Sequence, residues 1–168
     1  MIKKIFINFL IIAILISLIF SKYIKFLEFK GVLPDFILVL TVLNGFYNGS
    51  MFGMLFGFFA GLSYDISTHS LVGFYALLYS IIGYLTFLSK YIYIDNTFVS
   101  TILIFIYNLI KCFLFLFLGF IFLESDNLLN FFRNRFLVET AYTILISIPM
   151  FLTFKYIYSK SRKKRLHV

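Results

Sequence analysis

Long apolar stretches separated by short polar segments dominate the chain. Their lengths fit helices that cross a membrane, which need about 20 mostly apolar residues within a range of about 17–25. We predict six such spans, at residues 5–20, 34–47, 49–64, 71–88, 98–122 and 138–158. The pattern therefore predicts an all-α membrane protein, with six transmembrane helices in one polytopic domain over residues 1–168.

Two of these spans begin with features that have a physical meaning. The first follows Lys3 and Lys4 as a signal peptide would, but no small residues of a cleavage site come after it, so an uncleaved anchor is expected. The second begins at Pro34, whose missing N–H costs nothing in a first helical turn. Asp35 then places a carboxylate at the positive end of the helix dipole.

Composition agrees with lipid as the solvent of this chain. Of its 168 residues, 62% are hydrophobic and 13% are charged, whereas soluble domains have about 45–50% apolar and about 25% charged residues. A soluble domain of this length cannot bury so much apolar surface, because its surface is large relative to its volume.

Basic residues indicate how the spans are oriented. Lys3, Lys4, Lys90 and the basic tail at 160–165 would all lie on the inside of a six-span protein, although the lysines of 22–30 oppose this assignment. A five-span protein would put one basic end outside. We therefore expect a multi-pass protein of the bacterial inner membrane with both termini in the cytoplasm. The net charge of +8 is not clustered on a polar domain, so anionic lipids rather than nucleic acid are its expected contact.

Glycine recurs every four residues from the second span into the third. The members are Gly45, Gly49, Gly53, Gly57 and Gly61, and Asp65 is the next position in the series. Positions four apart stack on one helix face, so Gly49 to Gly61 predict a smooth groove that Asp65 closes at its outer end. Such grooves let membrane helices approach closely. The neighbour is either another span of this chain or a partner protein.

Ionisable groups within the apolar stretches are expensive and need a partner or water. Asp65 is expected either against protein or at the interface, where water would satisfy it. Lys111 lies in the middle of the fifth span, and Asp35, Asp65 and Glu139 are its candidate partners. The alternative for Lys111 is that its long side chain reaches the membrane surface. His69 is expected in a loop.

Catalytic and metal-binding patterns are missing from the sequence. There are no paired carboxylates within one span, no phosphate-binding loop and no cluster of metal ligands. Cys112 is the single cysteine and lies in an apolar run, where it is expected to act as a small buried hydrophobe. We therefore expect no enzymatic activity, no cofactor and no metal.

Motifs in the second to fourth spans resemble the bacterial rod shape-determining protein MreD family. The motifs are Pro34-Asp35, then Gly53, Gly57, Gly61 and Asp65, then Leu71-Val72-Gly73, Ala76-Leu77 and Gly83-Tyr84-Leu85. Chain length, span number, the two basic ends and Pro149 in the last span agree with this family. The resemblance also implies a fold similar to that of the six-helix substrate-binding subunits of energy-coupling-factor vitamin transporters.

That resemblance implies a non-enzymatic part of the cell-elongation machinery. The family works with MreC, with the actin-like MreB, and with RodA and its class B penicillin-binding partner in peptidoglycan synthesis along the lateral wall. The family motif positions carried over to this chain are Pro34, Asp35, Gly53, Gly57, Gly61, Asp65 and Gly73.

Two hypotheses of function follow. In the first, the chain is a scaffold whose glycine-lined face and outer loops hold MreC and the wall synthases. In the second, it is a small-molecule-binding subunit of a membrane transporter, with Asp65 and Lys111 as pocket charges. A third reading, an enzyme acting on lipids, would require a residue cluster that the sequence does not show.

Overall fold

The computed structural model describes residues 32–68, 71–89, 96–122 and 138–156, and all regular elements among them are helical. Helix α1 is Phe36–Asn48, α2 is Ser50–Thr68 and α3 is Phe74–Leu85, which a short 3-10 segment at Thr86–Ser89 continues. Helix α4 is Thr97–Phe122, and the described part of α5 is residues 138–156. The all-helical class is therefore confirmed for these residues.

The helices occupy the stretches predicted as the second to sixth spans, and the first stretch lies outside the described residues. The starts of the first four described helices differ from the predicted ones by one to three residues, and the largest difference is at α3, which begins at Phe74 instead of residue 71. Helix α1 begins at Phe36, because Asp35 is its N-cap and accepts the N–H of Leu38 at 2.8 Å. Pro34 thus precedes the cap instead of occupying the first helical turn. Helix α2 also continues past the predicted end at residue 64 and includes Asp65.

Helix α1 is the centre of the bundle. All of its residues from 37 to 45 are buried, as expected for a helix that is apolar on every side. It packs against both α2 and α3. Its C-terminal end contacts the remaining helices through aromatic rings. The ring centroids of Phe46 and Tyr107 of α4 are 5.9 Å apart, and those of Tyr47 and Phe151 of α5 are 6.4 Å apart.

The remaining helices pack to different extents. Helices α2 and α3 make the most extensive contact of any described pair, and α1 lies against both of them. We call α1, α2 and α3 together the inner unit. Helix α4 contacts α3 and α1 over less of its length, and it leaves a wide apolar face exposed.

One described helix is long and apolar enough to cross a membrane, and it is Thr97–Ile121 within α4. The stretches Phe36–Asn48 and Phe74–Ser89 are apolar but shorter. At 1.5 Å per residue, α1 rises only about 20 Å, compared with a hydrocarbon core of about 30 Å. The count of six spans therefore stays a prediction.

Candidate functional site

The glycines of α2 allow the backbone of α3 to approach without intervening side chains. A Cβ atom added at Gly57 would overlap the carbonyl oxygen of Tyr79, and one at Gly61 would lie 2.5 Å from the carbonyl oxygen of Tyr75. Both positions are buried. The predicted groove is real, and α3 of the same chain fills it.

Gly83, on α3, completes this contact between the two helices. A Cβ atom at Gly53 would lie 3.0 Å from the carbonyl oxygen of Gly83 and 2.8 Å from the Cα atom of Gly45. Added to Gly83, it would in turn overlap the backbone of Gly53. Three helix backbones therefore meet near Gly53, and any side chain there would push them apart.

Two members of the glycine series do not belong to the groove. Gly49 is not helical. Its φ of 102° and ψ of 155° interrupt the helical backbone between α1 and α2. That region of backbone space is open essentially to glycine alone. Gly45 lies on α1, where its missing side chain makes room for Thr86. The prediction of one groove from Gly49 to Gly61 was therefore wrong for Gly49.

Internal packing of the glycines corrects one functional expectation. A face that α3 covers is not available to hold a partner protein, so the first hypothesis was wrong about the glycine-lined face. The outer loops, which it also named, stay a prediction, because residues 1–31 and 123–137 lie outside the described residues. The alternative in which the neighbour is another helix of this chain is the one observed.

Asp65 anchors the start of α3. Its carboxylate accepts the backbone N–H groups of Gly73 at 2.9 Å, Tyr75 at 3.1 Å and Ala76 at 3.2 Å. The first N–H groups of a helix have no partner within the helix, and a carboxylate there also compensates the helix dipole. Asp65 is fully buried, so the alternative that water satisfies it at the interface was wrong.

Gly73 shapes the turn that brings these N–H groups to Asp65. Its φ of 100° and ψ of −13° lie near the left-handed region, which glycine adopts at no steric cost. A Cβ atom at Gly73 would touch none of the described residues within 4 Å, and the positive φ is the feature that favours glycine there. His69, expected in this loop, lies outside the described residues.

Lys111 forms a buried charge cluster with two carboxylates from other helices. Its ammonium group lies 2.8 Å from Oδ2 of Asp35, and it also donates to Oε1 of Glu139. Lys111 is only 9% exposed, so the alternative in which it reaches the membrane surface was wrong. Two of its three candidate partners are confirmed, and the third, Asp65, is engaged with α3 instead.

Asp35 is the hub of this charge cluster. Its carboxylate accepts from Leu38 N–H, from the Tyr79 hydroxyl at 2.8 Å and from Lys111. Its backbone N–H donates to Oγ1 of Thr143 at 3.0 Å. One residue at the start of α1 therefore binds α3, α4 and α5.

The charges of the cluster do not balance. Two carboxylates share one ammonium group, which gives a formal charge of one negative when all three are ionised. Within the described ranges, no group of three or more His, Cys, Asp or Glu residues could hold a metal ion. Salt bridges from Lys111 to the two carboxylates hold the cluster together.

The family comparison covers almost the whole chain. A family model described as rod shape-determining protein MreD matches residues 3–160. The chain belongs to the MreD family. No curated protein sequence and no solved structure matches it closely enough to count as a relative. As a member of the MreD family, a family of membrane proteins, it has a role in rod shape determination.

The MreD motif residues now have structural positions. Gly53, Gly57 and Gly61 form the close contact between α2 and α3, whereas Asp65 and Gly73 build the start of α3. The Pro34-Asp35 pair starts α1 and supplies the hub of the charge cluster.

Two members of this MreD site were missed in the sequence, and a polar stripe could have revealed one of them. Thr140, Thr143 and Ser147 are buried on α5 with Glu139 at nearly helical spacing, in a stretch that is otherwise apolar. This stripe predicts an inward polar face that includes Thr143. Tyr79 carries only the weaker signal of a tyrosine four residues after Tyr75, with which its ring stacks at 6.0 Å.

Proposed function

We propose that this protein acts in rod shape determination as a non-enzymatic membrane scaffold. In this proposal it holds MreC and the lateral wall synthases, RodA and a class B penicillin-binding protein, within reach of MreB. The family match over residues 3–160 supports the assignment to shape determination. The scaffold role rests on what the motif residues do inside the chain.

The observation that carries the proposal is the internal use of the motif. The glycines bring two backbones into contact, Asp65 binds three backbone N–H groups, and Asp35 ties four helices together. Each contact fixes one helix relative to another. A motif that is used entirely for this purpose supports a body of defined shape on which other proteins assemble.

Within the described part of the chain, outward helix faces are the surfaces that remain for partners. They are apolar along α2 at Met51, Leu55, Phe58 and Phe59, and along α4 at Phe113, Phe117 and Phe120. In a membrane such faces meet lipid tails or the spanning segments of other proteins. The partner surface in this proposal therefore lies on α2 or α4 and replaces the glycine face.

The transporter alternative loses the residues that motivated it. Asp65 is engaged with the start of α3, and Lys111 is paired with Asp35 and Glu139. Neither charge is left to hold a small molecule.

Membrane topology is a separate part of the proposal. The distribution of Lys and Arg supports six spans in the inner membrane with both termini in the cytoplasm. Reporter fusions at residue 1 and residue 168 should both show cytoplasmic activity. A periplasmic terminus at either end would overturn the six-span arrangement.

The partner proposal is tested by site-specific photo-crosslinking in growing cells. A photoreactive residue replaces Phe59 on α2 or Phe117 on α4, which are 52% and 58% exposed, and crosslinked proteins are identified after purification. We expect MreC or a wall synthase at one of these positions. Phe56 is the matched control on α2, because it is 2% exposed and should give no intermolecular product.

Depletion of the protein completes that test. Cells should lose their constant width as the protein disappears, and a plasmid copy should restore it. Normal width after depletion, together with crosslinks to no elongation protein, would overturn the scaffold proposal.

A further inference from the structure

The contacts that attach α4 and α5 to the inner unit differ in kind from the contacts between the three helices of that unit. Inside it, glycines bring backbone against backbone. Helix α5 is attached through side chains. Its contacts include the Glu139–Lys111 pair, the Thr143 bond to Asp35 and the rings around Tyr47, and Phe151 and Phe154 are buried in the apolar core.

Lys111 connects Asp35 to Glu139, and the two carboxylates are held by different numbers of bonds. Asp35 holds Lys111 while it also binds α1 through Leu38 and α3 through Tyr79. Among the described residues, Glu139 is paired with Lys111 alone. Its side chain is 16% exposed, compared with 7% for Asp35. Glu139 is therefore the carboxylate with fewer bonds to lose and the more exposed side chain.

The charge imbalance also favours the release of one carboxylate from Lys111. Two carboxylates around one ammonium group repel each other, and this repulsion is strong where water is excluded. Departure of one carboxylate removes the repulsion and leaves the other in a balanced pair with Lys111. Since two further hydrogen bonds tie the Asp35 carboxylate to α1 and α3, Glu139 is the one that departs.

We infer that the Lys111–Glu139 salt bridge is a latch, through which α5 opens from a bundle that otherwise keeps its shape. In the closed state Glu139 shares Lys111 with Asp35. In the open state Lys111 stays on Asp35, Thr143 releases the Asp35 backbone, and the start of α5 turns outward so that Glu139 meets water. Apolar contacts of α5 are replaced by lipid at little cost, because lipid tails are as apolar as the side chains they replace.

The latch is tested in the full chain in membrane vesicles by the rate at which single cysteines react with N-ethylmaleimide. Cys112 is first replaced by Ser. Thr143→Cys and Ser147→Cys then report on the inward face of α5, and Leu78→Cys reports on the inner unit. Thr143→Cys also removes the bond to the Asp35 backbone, so its rates are compared only between chains that carry it. Ser147→Cys leaves that bond intact, and its rate should change in the same direction. All three positions are 0% exposed in the closed state.

Glu139→Leu is the variant that opens the latch, because it removes the charge and both acceptor oxygens while keeping about the same size. A charge-assisted hydrogen bond contributes about 1.5–3 kcal/mol, so we expect the reaction at Thr143→Cys to accelerate roughly tenfold or more. The reaction at Leu78→Cys should not change. Glu139→Asp, which keeps the charge, should accelerate Thr143→Cys less than Glu139→Leu does.

Two outcomes would overturn the latch. Equal acceleration at Thr143→Cys and Leu78→Cys would mean that Glu139 holds the whole bundle together, and no acceleration at either would mean that the salt bridge does not restrain α5. Neither outcome bears on the scaffold proposal, because the latch does not depend on which proteins bind.

Discussion

The ammonium group of Lys111 lies 2.8 Å from Oδ2 of Asp35, although 76 positions separate the two residues in the sequence. Each was conspicuous for its own reason, Lys111 as a charge inside an apolar helix and Asp35 as a helix-capping residue. The contact gives them a common explanation. Because neither charge is tolerated alone in an apolar surrounding, the pair fixes α4 against the start of α1.

Removing the cation should be the most damaging single change in the charge cluster. Lys111→Met leaves Asp35 and Glu139 buried together without a counter-charge. Breaking a buried salt bridge by removing one partner costs about 3–5 kcal/mol. We expect a lower midpoint of thermal unfolding for the purified protein in mild detergent, followed by circular dichroism.

A matched variant and a rescue give this prediction its control. Lys155→Met removes a half-buried lysine from α5 outside the cluster and should change the midpoint much less. Adding Asp35→Asn and Glu139→Gln to Lys111→Met removes all three charges and should restore part of the lost stability. If the triple variant is less stable than Lys111→Met, charge compensation is not the main role of Lys111.

Asp65 should matter through the start of α3. Asp65→Ala leaves three backbone N–H groups without their acceptor, and each buried group left unpaired costs about 1–3 kcal/mol. Asp65→Asn keeps one acceptor oxygen but loses the charge, so its loss should be intermediate. Both are measured by thermal unfolding. Ser67→Ala is the control on the same helix, since Ser67 bonds only to the preceding turn, and a loss equal to that of Asp65→Ala would contradict the prediction.

Hydropathy predicts the helices of this protein better than it predicts their contacts. The apolar stretches mark α1 to α5 because burial from water follows composition. The charge of Lys111 requires a partner, and this limits the candidates to a few carboxylates. The choice between Glu139 and Asp65 depends on which helices are neighbours, and composition does not contain that information.

The glycine series shows how a regular spacing can mislead. Gly45 and Gly53 fall on different helices because the backbone is not helical at Gly49, which lies between them. A period of four continues across the break, so the sequence gives the impression of one long face. Only the backbone angles of Gly49 reveal the interruption. The role of Asp65 was hidden for a similar reason, because it depends on the turn at Gly73.

The glycines in the groove should not tolerate even one additional carbon. Alanine favours helices over glycine by about 0.8–1 kcal/mol, so Gly57→Ala would stabilise an isolated helix. Here its Cβ atom would meet the Tyr79 carbonyl, and overpacking of this kind costs about 1–3 kcal/mol. We expect a net loss of stability in thermal unfolding. Gly57→Ala as stable as the natural chain would show that α2 and α3 can separate without cost.

Gly49 and Gly73 should differ in their response to asparagine. Gly73 lies near the left-handed region, which asparagine tolerates, whereas Gly49 lies in the region open essentially to glycine. Gly73→Asn should therefore keep most of the stability, and Gly49→Asn should lose about 1–3 kcal/mol. Neither position has a neighbour within 4 Å of an added Cβ atom, so packing does not confuse the comparison. Equal losses would mean that the backbone angles do not set the requirement.

One substitution in the core should stabilise the protein. Thr41 is fully buried, and its hydroxyl has no hydrogen-bond partner among the residues described. Thr41→Val keeps the shape and removes this unpaired group, which should raise stability by about 1–3 kcal/mol. Thr86→Val is the matched opposite, because the Thr86 hydroxyl donates to the carbonyl of Gly83 at 2.7 Å and its loss should destabilise. Both midpoints are measured in the same detergent, and a decrease for Thr41→Val would show that its hydroxyl is bound to water or another polar group.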